Sequence, residues 1–194
     1  MDFIQQMIGS SAIEYIAVTC GFLNVYLIIK RSLWNYLFGF IMVVLYAKIF
    51  FDYQLYSDSL LQVFFFITQC YGVFYWLKHK APDGKVQVAY LNHRHFSQGL
   101  LATSALWLIL AVVMQQYTDA THPFWDGAIA ALSVSAQILL MRRHLQSWYL
   151  WIAVDVLAIG LFIVKGLLPT AALYGVFLIL AILGLLQWQR ASRD

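Results

Sequence analysis

Residues 147–164 read "SWYLWIAVDVLAIGLFIV". A helix rises about 1.5 Å per residue, so this run spans roughly 27 Å, close to the hydrocarbon thickness of a bilayer. A membrane β-strand would instead alternate apolar and polar side chains over about ten residues. Neither this run nor "ALWLILAVVM" at 105–114 alternates. The stretch is read as a transmembrane helix with one carboxylate, Asp155, near its middle.

Working outward, six more windows have the same character. The seven predicted spans are 12–29, 33–52, 59–78, 97–115, 125–141, 147–165 and 169–188. The composition agrees: of 194 residues, 62% are hydrophobic and 11% charged, against about 25% charged in an average soluble domain. So little polar surface cannot cover so much apolar surface in water. The chain is read as a single all-α polytopic membrane domain in a lipid bilayer, with no separate soluble domain. No basic residue precedes the first window, whose flank carries Asp2 and Glu14; a cleaved signal peptide wants a positive start, so this segment is expected to be a retained helix.

Charge sets the expected direction. Lys30, Arg31, Lys78, Lys80, Lys85, Arg94, Arg142, Arg143, Arg190 and Arg193 all fall on one side of the seven-span plan. Lys48 and Lys165 fall toward the other, with Glu14, Asp52, Asp58, Asp119 and Asp126. The positive-inside rule makes the ten-residue side cytoplasmic, leaving the amino terminus outside and the carboxyl terminus inside. Trp34, Trp76, Trp125, Trp148 and Trp188 stand near predicted helix ends, where indoles favour the membrane interface. Scattered basic residues at a net charge of +3 do not make a nucleic-acid surface. Cys20, Cys70 and the five histidines show no ligand spacing, so neither a metal nor another cofactor is expected.

A shift of 112 residues superposes several features. Glu14 falls on Asp126, Lys30-Arg31 on Arg142-Arg143, and "GVFYW" (72–76) on "GLLQW" (184–188). The predicted plan is therefore three helices (12–78), a linker helix (97–115) and three helices (125–188), the 3+1+3 plan of SWEET-like carriers. One linker span puts both triplets the same way up. Parallel repeats of this kind occur in transporters, with the binding site expected on the shared axis near the midplane.

Candidate binding residues follow from helix angles of about 100° per residue. Trp148, Trp151 and Asp155 lie within one face of the sixth span. A charge at the bilayer centre costs about 2.5–3.5 kcal/mol on insertion scales, so Asp155 is read as functional, with interhelical hydrogen bonding as the alternative. Trp151, one turn away, is a candidate stacking surface or a packing residue. Trp148 is a candidate site wall or an interfacial anchor. In the third span Gln62, Phe66, Gln69, Val73 and Trp76 share a face, with Gln69 central. Phe38 and Tyr46 in the second span, Asn24 in the first and Gln137 in the fifth complete the candidates. Aromatic walls beside one carboxylate suit a flat, cationic, hydrogen-bonding ligand. They suit a hard metal ion poorly, since it wants several oxygens. No second central acid or H-E-x-x-H pattern is present, so an intramembrane enzyme is not expected.

The stretches "NYLFGFIMVVLYAKIFFDYQLYSDSLLQVFFFITQCYGVFYW" (35–76), "PFWD" (123–126) and "SWYLWIAVDV" (147–156) closely resemble the Pnu family of bacterial vitamin transporters. The resemblance covers nearly the whole chain. It implies the bacterial inner membrane, a homotrimer, and facilitated diffusion of a free vitamin that a cytoplasmic kinase then traps by phosphorylation. Members carry nicotinamide riboside, thiamine or, less often, riboflavin. Nicotinamide riboside types tend to have Asn at the positions matching Met42, Gln69 and Asp155; this chain departs at all three. Together with the double-Trp motif, that favours thiamine, with nicotinamide riboside as the alternative. A lone carboxylate would also serve a proton-coupled symporter. The Pro-Gln pair of sugar carriers is missing, because none of the three prolines precedes Gln.

Overall fold

The computed structural model describes residues 12–52, 56–80, 84–118 and 120–192. Seven helices run through them: α1 Ala12–Ile29, α2 Asn35–Asp52, α3 Tyr56–Lys78, α4 His93–Tyr117, α5 Pro123–Met141, α6 Ser147–Val164 and α7 Leu168–Ala191. All seven contain a stretch long and apolar enough to cross a membrane. Most bounds sit within a few residues of the sequence reading. α3 starts at 56 rather than 59; of the other departures, α4 starts at 93 rather than 97 and α7 runs to 191 rather than 188. Both extensions are polar ends that carry helix past the apolar window: Asn92 caps α4 by accepting from His95 N at 2.8 Å, and α7 continues through Gln189 and Arg190. Pro123 and Pro169 fall in the first turns of α5 and α7, where a missing N–H costs nothing.

The chain divides into two compact units, 1–87 and 88–194. In the first, α1 packs on α2 and α2 on α3. In the second, α4 packs on α5, α5 on α6 and α6 on α7. The linker helix of the sequence reading thus packs with the second group. A Cβ at Gly127 would lie 3.0 Å from the Ala111 backbone nitrogen, so the missing side chain lets α4 and α5 approach closely. The Thr103 and Ser135 hydroxyls hydrogen-bond across the same seam at 2.7 Å.

Three helices end in the same turn. Ser32 N reaches Leu27 O and Arg31 N reaches Ile28 O, both at 2.9 Å. His144 and Arg143 repeat this on Leu139 and Leu140, and Leu167 and Gly166 on Phe162 and Ile163. The turn needs a left-handed residue, usually glycine. Gly166 supplies it after α6 at φ 72°, but arginines supply it after α1 and α5, Arg31 at φ 57° and Arg143 at φ 65°.

Each arginine carbonyl is then used. Arg31 O accepts from Val86 N at 3.2 Å, while the Arg31 guanidinium donates to Val86 O. In the second unit Arg143 O accepts from Ala89 N, and Leu145 N donates to Ala89 O, both at 2.9 Å. The Gln146 amide completes that pairing on Leu91 N and O.

The tryptophan reading needs correction. Trp34 is exposed, but Trp76, Trp148 and Trp188 are 1–2% exposed and lie inside their units rather than at a lipid interface. Each packs edge-on against an aromatic partner. Trp76 meets Tyr36 at 5.4 Å and 85°; Trp148 meets Trp188 at 5.5 Å and 85°. The two pairs stand 112 residues apart, as do the two left-handed arginines. Asp119 and Arg193 lie outside the described residues, as does the side chain of Asp58.

Candidate functional site

In the first unit the structure brings Asn24 and Gln69 together over Gly39. A Cβ on Gly39 would run into Gln69 Oε1 and would lie 3.1 Å from Asn24 Oδ1. Helices α1 and α3 thus each lay an amide across the α2 backbone at the one α2 position without a side chain. Gln69 is 7% exposed, and its Oε1 is buried without a hydrogen-bond partner among the described residues. Burying an acceptor unpaired costs about 1–3 kcal/mol.

Gln62 is also buried, two turns earlier on α3. Phe38 is half-buried on α2. Tyr46 stacks on Phe50 of its own helix at 5.5 Å, which is local packing. An aromatic row runs from Trp76 through Tyr36 and Phe40 to Phe66, with the Phe40 and Phe66 rings 5.1 Å apart. Met42 occupies the space over Gly21, its sulfur 3.2 Å from where a Cβ would stand.

In the second unit Asp155 is 4% exposed. Neither the Lys48–Asp52 nor the Lys165–Asp126 salt bridge includes it. No hydrogen bond reaches its carboxylate from any described residue. Trp151, one turn before it, is half-buried, and its ring pairs with no other described ring. Trp148 differs. Gly184 of α7 takes its six-membered ring edge so closely that a Cβ there would stand 2.5–2.6 Å from three ring carbons. That fit, with the Trp188 contact, packs the Trp148 ring inside the second unit, with its Nε1 buried and without a partner among the described residues. Gln137 on α5 is half-buried.

Farther along, α5 is fastened to α6. Trp125 Nε1 donates to Leu157 O at 2.9 Å, and its ring fills the space at Gly160. Asp126 accepts from Lys165 through both carboxylate oxygens, at 2.9 and 3.2 Å. At the opposite end of α5, burial first and then the charges of Arg142 and Arg143 pull the pKa of His144 below the usual histidine range.

No group of three or more metal-ligating side chains occurs among the described residues. The site residue that sequence reading missed is Gly39. Its signal was a lone glycine inside the apolar run of α2, where a missing side chain marks close approach.

Comparison with known proteins bears on what these groups meet. The model of the nicotinamide mononucleotide transporter family matches residues 11–190. The chain is 29% identical to the nicotinamide riboside transporter PnuC of Escherichia coli (strain K12), covering 95% of this chain and 87% of that one. It is 28% identical to the PnuC of Neisseria mucosa over 90% and 71%. It is 23% identical to the riboflavin/roseoflavin transporter RibM of Streptomyces davaonensis over 98% and 89%. The crystal structure of the vitamin B3 transporter PnuC superposes with a TM-score of 0.80 at 26% identity, covering 98% of this chain and 87% of that one. These relatives are named for nicotinamide riboside, vitamin B3 and riboflavin. The thiamine preference drawn from Met42, Gln69, Asp155 and the double-Trp motif gains no support from them, and a carboxylate suits either flat cation.

Proposed function

The chain belongs to the nicotinamide mononucleotide transporter family, and from that premise we propose that it carries nicotinamide riboside across the bacterial inner membrane. The likeness to the PnuC transporters supports this substrate, and its cation would meet Asp155, a buried carboxylate with no partner among the described residues, one helical turn from Trp151, whose ring pairs with no other described ring. The pyridinium of nicotinamide riboside is a flat cation. It would stack on the indole and be balanced by the carboxylate.

The unphosphorylated nucleoside fits better than the mononucleotide of the family's description. A phosphate in transit calls for arginine or lysine along its path. The basic residues of the described helices stand at or near helix ends (Lys48, Lys78, Arg94 and Arg190), and α1, α5 and α6 contain none. Movement is by facilitated diffusion, with a cytoplasmic kinase adding the phosphate that prevents return. The 3+1+3 plan is supported by the aromatic pairs and left-handed arginines recurring at 112 residues. The distribution of Lys and Arg supports an outside amino terminus, and the family resemblance supports a homotrimer.

Binding to the purified protein tests this, read by quenching of tryptophan fluorescence. Nicotinamide riboside should bind at least about tenfold more tightly than nicotinamide mononucleotide or thiamine. Asp155→Ala and Trp151→Ala should each weaken it by about tenfold or more. Tighter binding of thiamine would overturn the substrate assignment. Wild-type affinity in both variants would remove Asp155 and Trp151 from the site. Uptake into vesicles that depends strongly on a pH gradient would replace facilitated diffusion with proton coupling.

A further inference from the structure

We propose that Gly39 is a specificity-determining residue: by lacking a side chain it seats the Asn24 and Gln69 amides as an acceptor patch that takes an N–H or O–H donor of the substrate and turns away a carboxylate. This rests on the reading of the chain as a nicotinamide riboside carrier and names a chemical selection within it.

Gln69 reaches over α2 from α3, and Asn24 from α1. Both carbonyl oxygens come to the volume that a Cβ of residue 39 would fill. Any larger residue at 39 must push Gln69 aside, because its oxygen would overlap the new methyl. Helix glue would be the ordinary role for a buried glutamine in a membrane helix. Here Gln69 Oε1 has no hydrogen-bond partner among the described residues, so that oxygen joins no helices. It is buried, it can only accept, and a second amide oxygen stands against the same glycine. Two lone-pair-bearing oxygens in a place of low dielectric attract a polarised hydrogen and repel a negative charge. The carboxamide of nicotinamide riboside ends in an NH2 with two donors. Its nicotinic acid counterpart ends in a carboxylate with none. A site built to bond a donor rejects the analogue lacking it strongly, because its own buried polar groups are then left unpaired.

The test uses the full chain in detergent and measures binding of nicotinamide riboside and nicotinic acid riboside side by side. The wild type should prefer the carboxamide at least about tenfold. Gly39→Ala should weaken nicotinamide riboside and cut that preference to about threefold or less. Adding Gln69→Asn, whose shorter amide leaves room for the methyl, should restore part of the preference. Gln69→Met keeps the shape and removes the acceptor. It should lose the preference while melting no lower than wild type, since an unpaired buried acceptor has been replaced by apolar atoms.

Equal binding of the two nucleosides by wild type overturns the proposal, as does an unchanged preference in Gln69→Met. A marked fall in the melting temperature of Gln69→Met also overturns it, since that is the mark of structural glue. Failure of the wild type to bind either nucleoside defeats the underlying transport reading instead. Loss of both nucleosides in Asp155→Ala upholds that reading whatever happens at Gly39.

Discussion

Trp148 and Gly184 form a contact whose energy can be read by removing each side of it. Helices already in lipid gain little transfer energy from packing, so what remains on truncating Trp148 is the cavity. At about 24 cal/mol per Å³, replacing an indole by a methyl opens roughly 130 Å³ and costs about 3 kcal/mol if the walls stay put. Loss of the edge-on Trp188 contact adds about 0.5–1.5 kcal/mol. Gly184→Ala acts in the opposite sense. Three ring carbons would lie 2.5–2.6 Å from the new Cβ, about 1 Å inside the ordinary contact distance of roughly 3.5–4.0 Å. Overpacking of that order costs about 1–3 kcal/mol.

In the Trp148→Ala background the same methyl enters an empty space, and its cost should vanish or become a gain. The double-mutant cycle should therefore show a coupling of about 1–3 kcal/mol, the pair being less destabilised than the sum. Equilibrium unfolding in mixed micelles, followed by circular dichroism, measures all four corners. Additive effects would refute the packing assigned to Trp148. So would Trp148→Ala abolishing nicotinamide riboside binding while leaving stability intact, since that would return Trp148 to the substrate path.

Two further outcomes follow from local geometry. Gly175 and Gly166 both have open space around them, yet their alanine variants should shift stability in opposite directions. Gly175→Ala lies in the interior of α7 and should stabilise by about 0.5–1 kcal/mol. Gly166→Ala must adopt φ 72° and should cost about 1–2 kcal/mol; thermal melts of the two variants decide.

His144 titrates below its ordinary value of 6.5, so the unfolded chain takes up its proton first as pH falls. The contribution of neutral His144 is fully present above about pH 6.5 and is lost progressively below it. Melting temperatures of wild type and His144→Gln across that window should diverge toward acid. Parallel curves would refute the assignment.

The seven helices were legible because each is a long apolar window, and hydropathy alone marks such a window. Asp155 was legible for the converse reason: a single carboxylate in such a window stands out at once, and the structure buries it. The meeting of Asn24, Gly39 and Gln69 was not legible. It depends on how three helices rotate about their axes, and periodicity places a residue on a face without saying which neighbour that face meets. Trp148 was misread in part because an indole near a helix end suits both lipid interface and core. Only the facing glycine, 36 residues later, separates the two. The thiamine preference, drawn from Met42, Gln69, Asp155 and the double-Trp motif, gained no support, and the chemistry could not supply it: thiazolium and pyridinium are both flat cations, and one carboxylate does not tell them apart.

The left-handed arginines carry a consequence for how the chain enters its membrane. Glycine would close the turns after α1 and α5 with less strain, by about 1–2 kcal/mol at each position. Arg31 and Arg143 instead place a permanent positive charge at the residue that halts the helix. In the orientation proposed above, each cation lies on the cytoplasmic flank of its helix. The residue that ends the helix therefore also anchors that end against translocation. Exchanging both for glycine would relieve the backbone of the two turns, at the loss of the Arg31–Val86 hydrogen bond, while weakening the signal that fixes which way up the chain is inserted. In that orientation, each strained turn serves the folded carrier and its insertion at once.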